Sequence, residues 1–317
     1  MTAGFVKAAR ATRRRYQRNI ASIVERARRV EARMPRRSGL TWGEIIAVTL
    51  FLCALVVGTG FAFDAVSVER ARALPGIVTF FFGIISDMGK SQWELYPSGI
   101  VVLVLLAGSW HIVPPTVRVF WTEFGALTAF LFGSIAGIGI LVNIVKQLIG
   151  RGRPVTFDYV GPFMLDPFRF AFEFQSFPSG HSATAGALIA FGFLVARRWK
   201  LGLLIFGLAI GASRVVVAAH YPSDVLAGLL VGYIFSIWLA HRCARYGWAF
   251  SLGSSGTIRA RAACIRWAWS RPERAAMVLA GLADALCGRR VWLPLLKPIG
   301  VVPNAHSRSD GEPDRLG

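Results

Sequence analysis

Ser213-Arg214-Val215-Val216-Val217-Ala218-Ala219-His220-Tyr221-Pro222-Ser223-Asp224 is the stretch on which the reading of this chain turns. Long apolar runs flank it, so it reads as a short loop joining two hydrophobic helices. Within it an imidazole stands four residues before a carboxylate, and a Ser-Arg pair lies upstream across a five-residue spacer. A carboxylate that holds one ring nitrogen of His220 fixes the tautomer and raises the basicity of the other, which suits His220 to attack phosphorus. Arg214 offers a planar fork of donors that matches phosphate oxygens. Taken alone, the stretch is equally a membrane-surface loop with a chance histidine.

Two further stretches break the tie. One is Lys146, six residues, then Arg153-Pro154; the other is Pro178-Ser179-Gly180-His181. In order, the three read K-x6-R-P, P-S-G-H and S-R-x5-H-x3-D. With these blocks the sequence resembles the type 2 phosphatidic acid phosphatase family, which shares its site with vanadium haloperoxidases and bacterial acid phosphatases. All three blocks are complete, in family order and with family spacing, and the resemblance covers roughly residues 90–240.

The 317 residues are 54% hydrophobic, with the apolar side chains gathered in long runs that do not suit a soluble domain. The formal net charge is +19, from 36 Lys and Arg against 17 Asp and Glu. In a membrane protein such an excess belongs to cytoplasmic segments facing anionic lipid. Nucleic acid is not expected as a partner, because the basic residues flank apolar spans and form no recognisable nucleic-acid module. The four cysteines, Cys53, Cys243, Cys264 and Cys287, include no C-x-x-C pair, so neither a disulfide framework nor a zinc site is expected.

The expected architecture is all-α: a six-span bundle with an interfacial helix before the second span. Residues 1–40 form a basic arm with twelve Lys/Arg and two Glu. Ile20, Ile23, Val24 and Ala27 recur there at helical spacing, so the arm reads either as a basic amphipathic helix on the membrane or as a disordered tail. The membrane domain occupies 41–241, with spans near 43–65, 95–112, 120–145, 181–196, 201–218 and 224–240. The apolar run Ile77–Ile85 is too short to cross and reads as interfacial or re-entrant. The loop near 146–177 carries the first motif. Residues 242–317 form a basic tail; Ala275–Leu286 within it suggests a helix lying on the membrane, with a seventh span as the lesser alternative, and the polar end from Val302 reads as disordered.

Arg197-Arg198-Trp199-Lys200 joins the fourth and fifth spans and places that loop in the cytoplasm. Alternation then puts both termini inside and all three motifs on the outer, periplasmic face. The charge argument makes no use of the motifs, yet it puts them together on one face of a bacterial inner membrane.

Phosphoryl transfer needs positive charge on the equatorial oxygens, an in-line nucleophile and an acid for the leaving oxygen. Lys146, Arg153 and Arg214 supply the charge, and neither a metal nor another cofactor is expected. Gly180 permits close backbone approach at a helix start, and the Ser179 hydroxyl suits either a phosphate oxygen or an N-cap. Ser213 carries the same ambiguity and leans towards a backbone hydrogen bond. The resemblance implies His220 as nucleophile forming a phosphohistidine, Asp224 as its orienting carboxylate, and His181 as the acid for the leaving lipid oxygen and then the base for water. Arg151 reads as a solvated loop residue; Asp87, Lys90 and Gln92 flank the short apolar run and are candidates for the pocket wall.

The resemblance therefore implies a metal-independent hydrolase of a lipid phosphomonoester or pyrophosphate. Candidate substrates are undecaprenyl pyrophosphate first, then phosphatidic acid, phosphatidylglycerophosphate or lipid A. Partners expected are that lipid phosphate, the bilayer, and anionic lipid at the basic termini. A headgroup phosphotransferase and a non-catalytic scaffold or transporter on the same fold remain as alternatives.

Overall fold

The computed structural model describes residues 2–31, 41–253 and 256–293. The expected disordered end from Val302 lies outside them, as do residues 32–40 of the arm. The described residues contain eleven α-helices, three single-turn 3-10 helices and one β-hairpin. In chain order the α-helices and strands are α1 (Thr2–Glu31), α2 (Trp42–Arg72), α3 (Gly76–Met88), α4 (Gln92–Leu106), α5 (Pro115–Ile149), α6 (Phe157–Val160), α7 (Gly180–Leu194), α8 (Lys200–Val216), α9 (Pro222–Arg245), β1 (Phe250–Leu252), β2 (Ile258–Ala260), α10 (Ala263–Ala268) and α11 (Pro272–Cys287).

Helix α2 starts at a capping box, in which Glu44 accepts the Thr41 N–H while the Thr41 hydroxyl accepts the Glu44 N–H. It is apolar on every side. Leu50, Phe51, Phe61 and Phe63 are exposed, and only the stripe Gly60, Asp64, Val68 and Ala71 is buried. That is the pattern of a helix with lipid around most of its circumference.

Four segments are long and apolar enough to cross a membrane: α2, α5, Arg197–Val216 and α9. The expected second and fourth spans fall on α4 and α7, of fifteen residues each. At ~1.5 Å per residue each measures about 22 Å, against a hydrocarbon core of about 30 Å. The described residues thus give four full-length candidate spans and two short helices. The expected interfacial run is helical, as α3. Lys146 belongs to the last turn of α5 and not to the following loop.

The chain forms two compact units. Among the described residues, one comprises 27–31, 41–100, 128–253 and 256–260, and the other 2–26, 101–127 and 261–293. These units cut across the arm, membrane domain and tail expected from charge and hydropathy.

In the first unit α7 and α9 touch at backbone distance. A Cβ at Gly186 would run into the Leu229 carbonyl oxygen, and one at Gly232 into that of Ala183. Small residues at such a seam let two helices pack along their backbones, a contact suited to a membrane interior. Their N-termini are also pinned together, because the Ser179 N–H donates to the Asp224 carbonyl at 3.0 Å. The hairpin closes this unit, with Phe250 edge-on to Phe130 of α5.

The second unit has its own core. Val117, Phe120 and Trp121 from the start of α5 pack with Cys264 and Ala268 of α10 and Val278 and Ala285 of α11. Trp121 Nε1 donates to the Val278 carbonyl at 2.8 Å. Asp284, which interrupts the apolar run expected to lie on the membrane, is buried; its carboxylate accepts the N–H groups of Val291, Trp292 and Leu293 at 2.8–3.1 Å. Helix α11 thus buries a face inside this unit. α1 joins the same unit through Tyr16, which donates to the Leu103 carbonyl, and Asn19, which donates to those of Leu106 and Gly108. Of the two readings of the arm, residues 2–31 take the helical one. All four cysteines are free.

Candidate active site

The spacing of the third motif has a backbone cause. The carbonyl of Arg214, in the last turn of α8, accepts the N–H of both Ala219 and His220, at 3.0 and 3.1 Å. Ala218 takes a left-handed conformation at φ 50° to make this reversal, which is costly for a residue with a Cβ and typical of a helix C-terminus. The five-residue spacer is thus one tight helix end, and it fixes His220 relative to Arg214. Pro222 then opens α9 at its first position, and Asp224 reaches back to accept the Tyr221 N–H at 3.0 Å.

His220 and Asp224 face each other across that turn, with Nδ1 3.6 Å from Oδ2. This is longer than a full hydrogen bond, as ligand-free catalytic pairs often are. Ser176 lies beside the pair. Its hydroxyl donates to Asp224 Oδ2 at 2.5 Å and stands 3.5 Å from His220 Nδ1. Burial holds the His220 pKa down to about 4, against the opposing pull of Asp224. The ring is therefore neutral near pH 7, as a nucleophile must be.

Three cations lie within electrostatic reach of one another beside this ring. Lys146 and Arg153 act on His220 electrostatically, and Arg214 acts on both of them. Burial and then the Arg214 charge push the Arg153 pKa down to about 10. Each cation keeps donors in reserve. The Lys146 ammonium has no hydrogen bond among the described residues. Arg153 donates once, to the Gln175 carbonyl at 3.3 Å, and lies over the Phe172 ring, while its Nε is buried and unpaired. Arg214 donates to the Ser86 hydroxyl of α3, and its Nε is likewise buried and unpaired. Buried donors without acceptors are costly, and an oxyanion bound beside them would supply acceptors.

His181 sits in the first turn of α7, within electrostatic reach of Arg214, His220, Lys146 and Lys90. A Cβ on Gly89, at the end of α3, would lie 3.4 Å from its ring. Asp87 and Lys90 form an exposed 2.8 Å ion pair, and Asp87 is felt by both His181 and Arg214. The short helix α3 therefore stands at the mouth of the site. Ser179 is fully buried and caps α7, accepting the Ser182 N–H at 3.4 Å and the Ser182 hydroxyl at 2.9 Å. A Cβ on Gly180 would make only an ordinary contact with Val142, so protein packing alone does not require glycine there. The Ser213 hydroxyl donates to the Ile210 carbonyl at 2.7 Å. The structure thus brings together every residue singled out for the site: His220, His181, Asp224, Lys146, Arg153, Arg214, Ser179 and Gly180.

Arg151 corrects one expectation. It is 6% exposed, not a solvated loop residue, and all its donor nitrogens are engaged. Nη1 donates to Asp224 Oδ1 at 2.5 Å and the Ser223 hydroxyl at 2.7 Å; Nη2 donates to Asp64 Oδ2 at 2.6 Å and the Pro162 carbonyl at 2.7 Å; Nε donates to Pro162 at 2.9 Å. Asp64, on α2, also accepts the Ser223 N–H at 3.1 Å and its hydroxyl at 2.5 Å. The sequence reading missed Asp64, Ser176 and Ser223. Only Asp64 carried a signal, as a carboxylate deep in an apolar run, where ionisable residues are rare and functional by default.

A family model described as the PAP2 superfamily matches residues 127–248, which contain all three motifs. A lipid A 1-phosphatase of Rhizobium johnstonii is 34% identical over 236 residues, covering 74% of this chain and 93% of that protein. The undecaprenyl-diphosphatase BcrC of Bacillus subtilis is 49% identical over 111 residues, covering 33% of this chain and 52% of that one. Among solved structures, a transmembrane PAP2-type phosphatidylglycerolphosphate phosphatase from Bacillus subtilis aligns with a TM-score of 0.43 at 19% identity, over 61% of this chain and 92% of that one.

Proposed function

The chain belongs to the PAP2 superfamily, as a multi-pass membrane phosphatase of lipid phosphates, and from that premise we propose that it removes a phosphate from an envelope lipid through a phosphohistidine on His220. The observation that carries this reading is the neutral, buried His220, paired with Asp224 and accompanied by Lys146, Arg153 and Arg214, the two arginines each keeping a buried Nε with no partner among the described residues.

The geometry supports the following course. The phosphate docks on the three cations, with the helix start at Gly180-His181 adding N–H groups. With Nδ1–H turned to Asp224, His220 Nε2 attacks phosphorus; the N–P bond forms as the bond to the lipid oxygen breaks, and His181 gives that oxygen a proton. Asp224 stabilises the cationic ring. Water then attacks phosphorus while His181 takes its proton, the N–P bond breaks, and free phosphate leaves with His220 neutral again.

A lipid A-type glycosyl 1-phosphate is the preferred substrate. The support is that the lipid A 1-phosphatase relative aligns over nearly its whole length. A polyprenyl diphosphate is the second reading, favoured by the higher identity to the undecaprenyl-diphosphatase across the motif region. Phosphate release by the purified protein from both lipids, with phosphatidic acid and phosphatidylglycerophosphate as comparators and EDTA present throughout, decides between them. The reading expects the 1-phosphate to be hydrolysed fastest; diphosphate hydrolysis alone would overturn that preference.

In this reading the short helices α4 and α7 complete a six-helix bundle, α3 lies at the interface, and the site opens on the periplasmic face of the inner membrane. The support is the Arg197-Arg198-Trp199-Lys200 loop at the other end of α7. The termini are cytoplasmic. Lys7, Arg10, Arg14 and Arg18 of α1 line a cavity of about 1000 Å³ that no carboxylate lines among the described residues, which suits contact with anionic lipid. Replacing these four by Gln is expected to weaken binding to anionic vesicles at low salt and to leave hydrolysis in detergent unchanged; unchanged vesicle binding would remove this role.

A further inference from the structure

Three buried residues that the motifs do not specify, Asp64, Arg151 and Ser223, connect α2 to the nucleophile's carboxylate. Arg151 is gripped by Asp64 from α2 on one side and Asp224 from α9 on the other, and Ser223 bonds both Arg151 and Asp64. Both carboxylates are fully buried, and the Arg151 guanidinium stacks 4.5 Å from the centroid of the Tyr221 ring. Burial works against the Arg151 charge, but the two carboxylates outweigh it and raise its pKa.

The division of labour on Asp224 gives this network its consequence. Arg151 occupies Oδ1, which leaves Oδ2 for Ser176, the Tyr221 N–H and His220. The carboxylate plane, and with it the direction from which His220 Nδ1 is held, is set by the fork of Arg151. Arg151 is set in turn by Asp64, which cannot shift without releasing the Ser223 N–H at the start of α9. One guanidinium between two carboxylates also leaves the network with a single negative charge behind the ring, facing the cations in front of it.

We propose that Asp64 and Arg151 are positioning residues for the phosphatase reaction: they orient Asp224, and through it His220, so that α2 is part of the catalytic apparatus although it touches no substrate. The proposal rests on His220 acting as the nucleophile.

The test is steady-state kinetics of the full-length protein in detergent, on whichever lipid phosphate it hydrolyses, with thermal unfolding measured alongside. Asp64→Asn keeps size and an acceptor for Ser223 but removes the charge. It is expected to lower kcat by about 10- to 100-fold with KM within about twofold, the range seen when a residue orienting an active-site ligand is lost. Arg151→Lys keeps the charge and loses the fork; it is expected to behave the same way, and it carries the test if Asp64→Asn does not fold. A double-mutant cycle separates orientation from general stability. In the Asp224→Asn background, Asp64→Asn should cost little more, because its only route to the reaction has already been cut. Wild-type kcat in both single variants would overturn the proposal, as would an Asp64→Asn cost as large in the Asp224→Asn background as in wild type. A His220→Ala variant that retained activity would overturn the underlying reading instead.

Discussion

His220 Nδ1 lies 3.6 Å from Asp224 Oδ2, while the Ser176 hydroxyl is only 2.5 Å from the same oxygen. The imidazole and the serine therefore share one acceptor, and the pair tightens when positive charge develops on the ring. Asp224→Asn keeps the shape and loses the charge. It is expected to lower kcat by roughly 10³- to 10⁴-fold with little change in KM, as when the acid of a catalytic triad is neutralised. Ser176→Ala should cost far less, because Asp224 then turns fully to His220. Initial rates over a range of lipid concentrations check both.

Acid inactivation should come late. A free histidine is half protonated near pH 6.5, but burial holds His220 to about 4. Protonation blocks the nucleophile, so the His220 limb of kcat/KM should fall only as pH drops through about 4. Rates between pH 3.5 and 8 test this, provided the protein stays folded. An acid limb centred near 6.5 that tracks His220 would show the ring to be solvated in the working enzyme.

The cations should divide by geometry. Arg214→Lys keeps the charge but gives up a fork that holds Ser86 and leaves Nε unpaired, so it is expected to raise KM and lower kcat together. Arg153→Lys loses the stacking over Phe172 as well. Losses of about 10- to 1000-fold in kcat/KM are expected, in line with removal of one oxyanion donor. Vanadate inhibition should weaken in parallel, which a titration of initial rates measures.

Ala218 gives a stability prediction. Its φ of 50° is unfavourable for any residue with a Cβ. Ala218→Gly is expected to relieve about 1 kcal/mol of backbone strain, partly offset by the entropy of glycine, and so to leave melting temperature and activity near wild type. Ala218→Val should do the opposite, lowering both, because the turn that fixes His220 to the Arg214 carbonyl no longer closes. Thermal unfolding with parallel activity assays distinguishes the two.

The chemistry of the site was legible because its residues come in fixed local spacings. Each spacing proves to be a helix end: the last turn of α5, the N-cap of α7, and the α8–α9 reversal. The supporting residues were not legible. Asp64 and Arg151 are 87 positions apart and meet only through tertiary packing, and nothing beside Ser176 marks it as a partner of Asp224. Long apolar runs gave the full-length helices directly. At α4 the helix ends at Leu106, short of the expected 112, whereas the fourth expected span, 181–196, is already short in the sequence and α7 matches it closely. The C-terminal segment was opaque for a different reason. Asp284 looked like an interruption of an apolar face, whereas three backbone N–H groups make it a buried anchor.

The central claim is covalent catalysis by His220, and trapping the intermediate tests it most directly. The purified protein, mixed with a hydrolysable lipid phosphate and quenched in alkali within milliseconds, should yield one acid-labile, base-stable phosphopeptide carrying the mass of phosphate on His220. His220→Ala should yield none and release no phosphate. Undiminished phosphate release by His220→Ala, or a phosphoryl group recovered on another residue, would contradict the account.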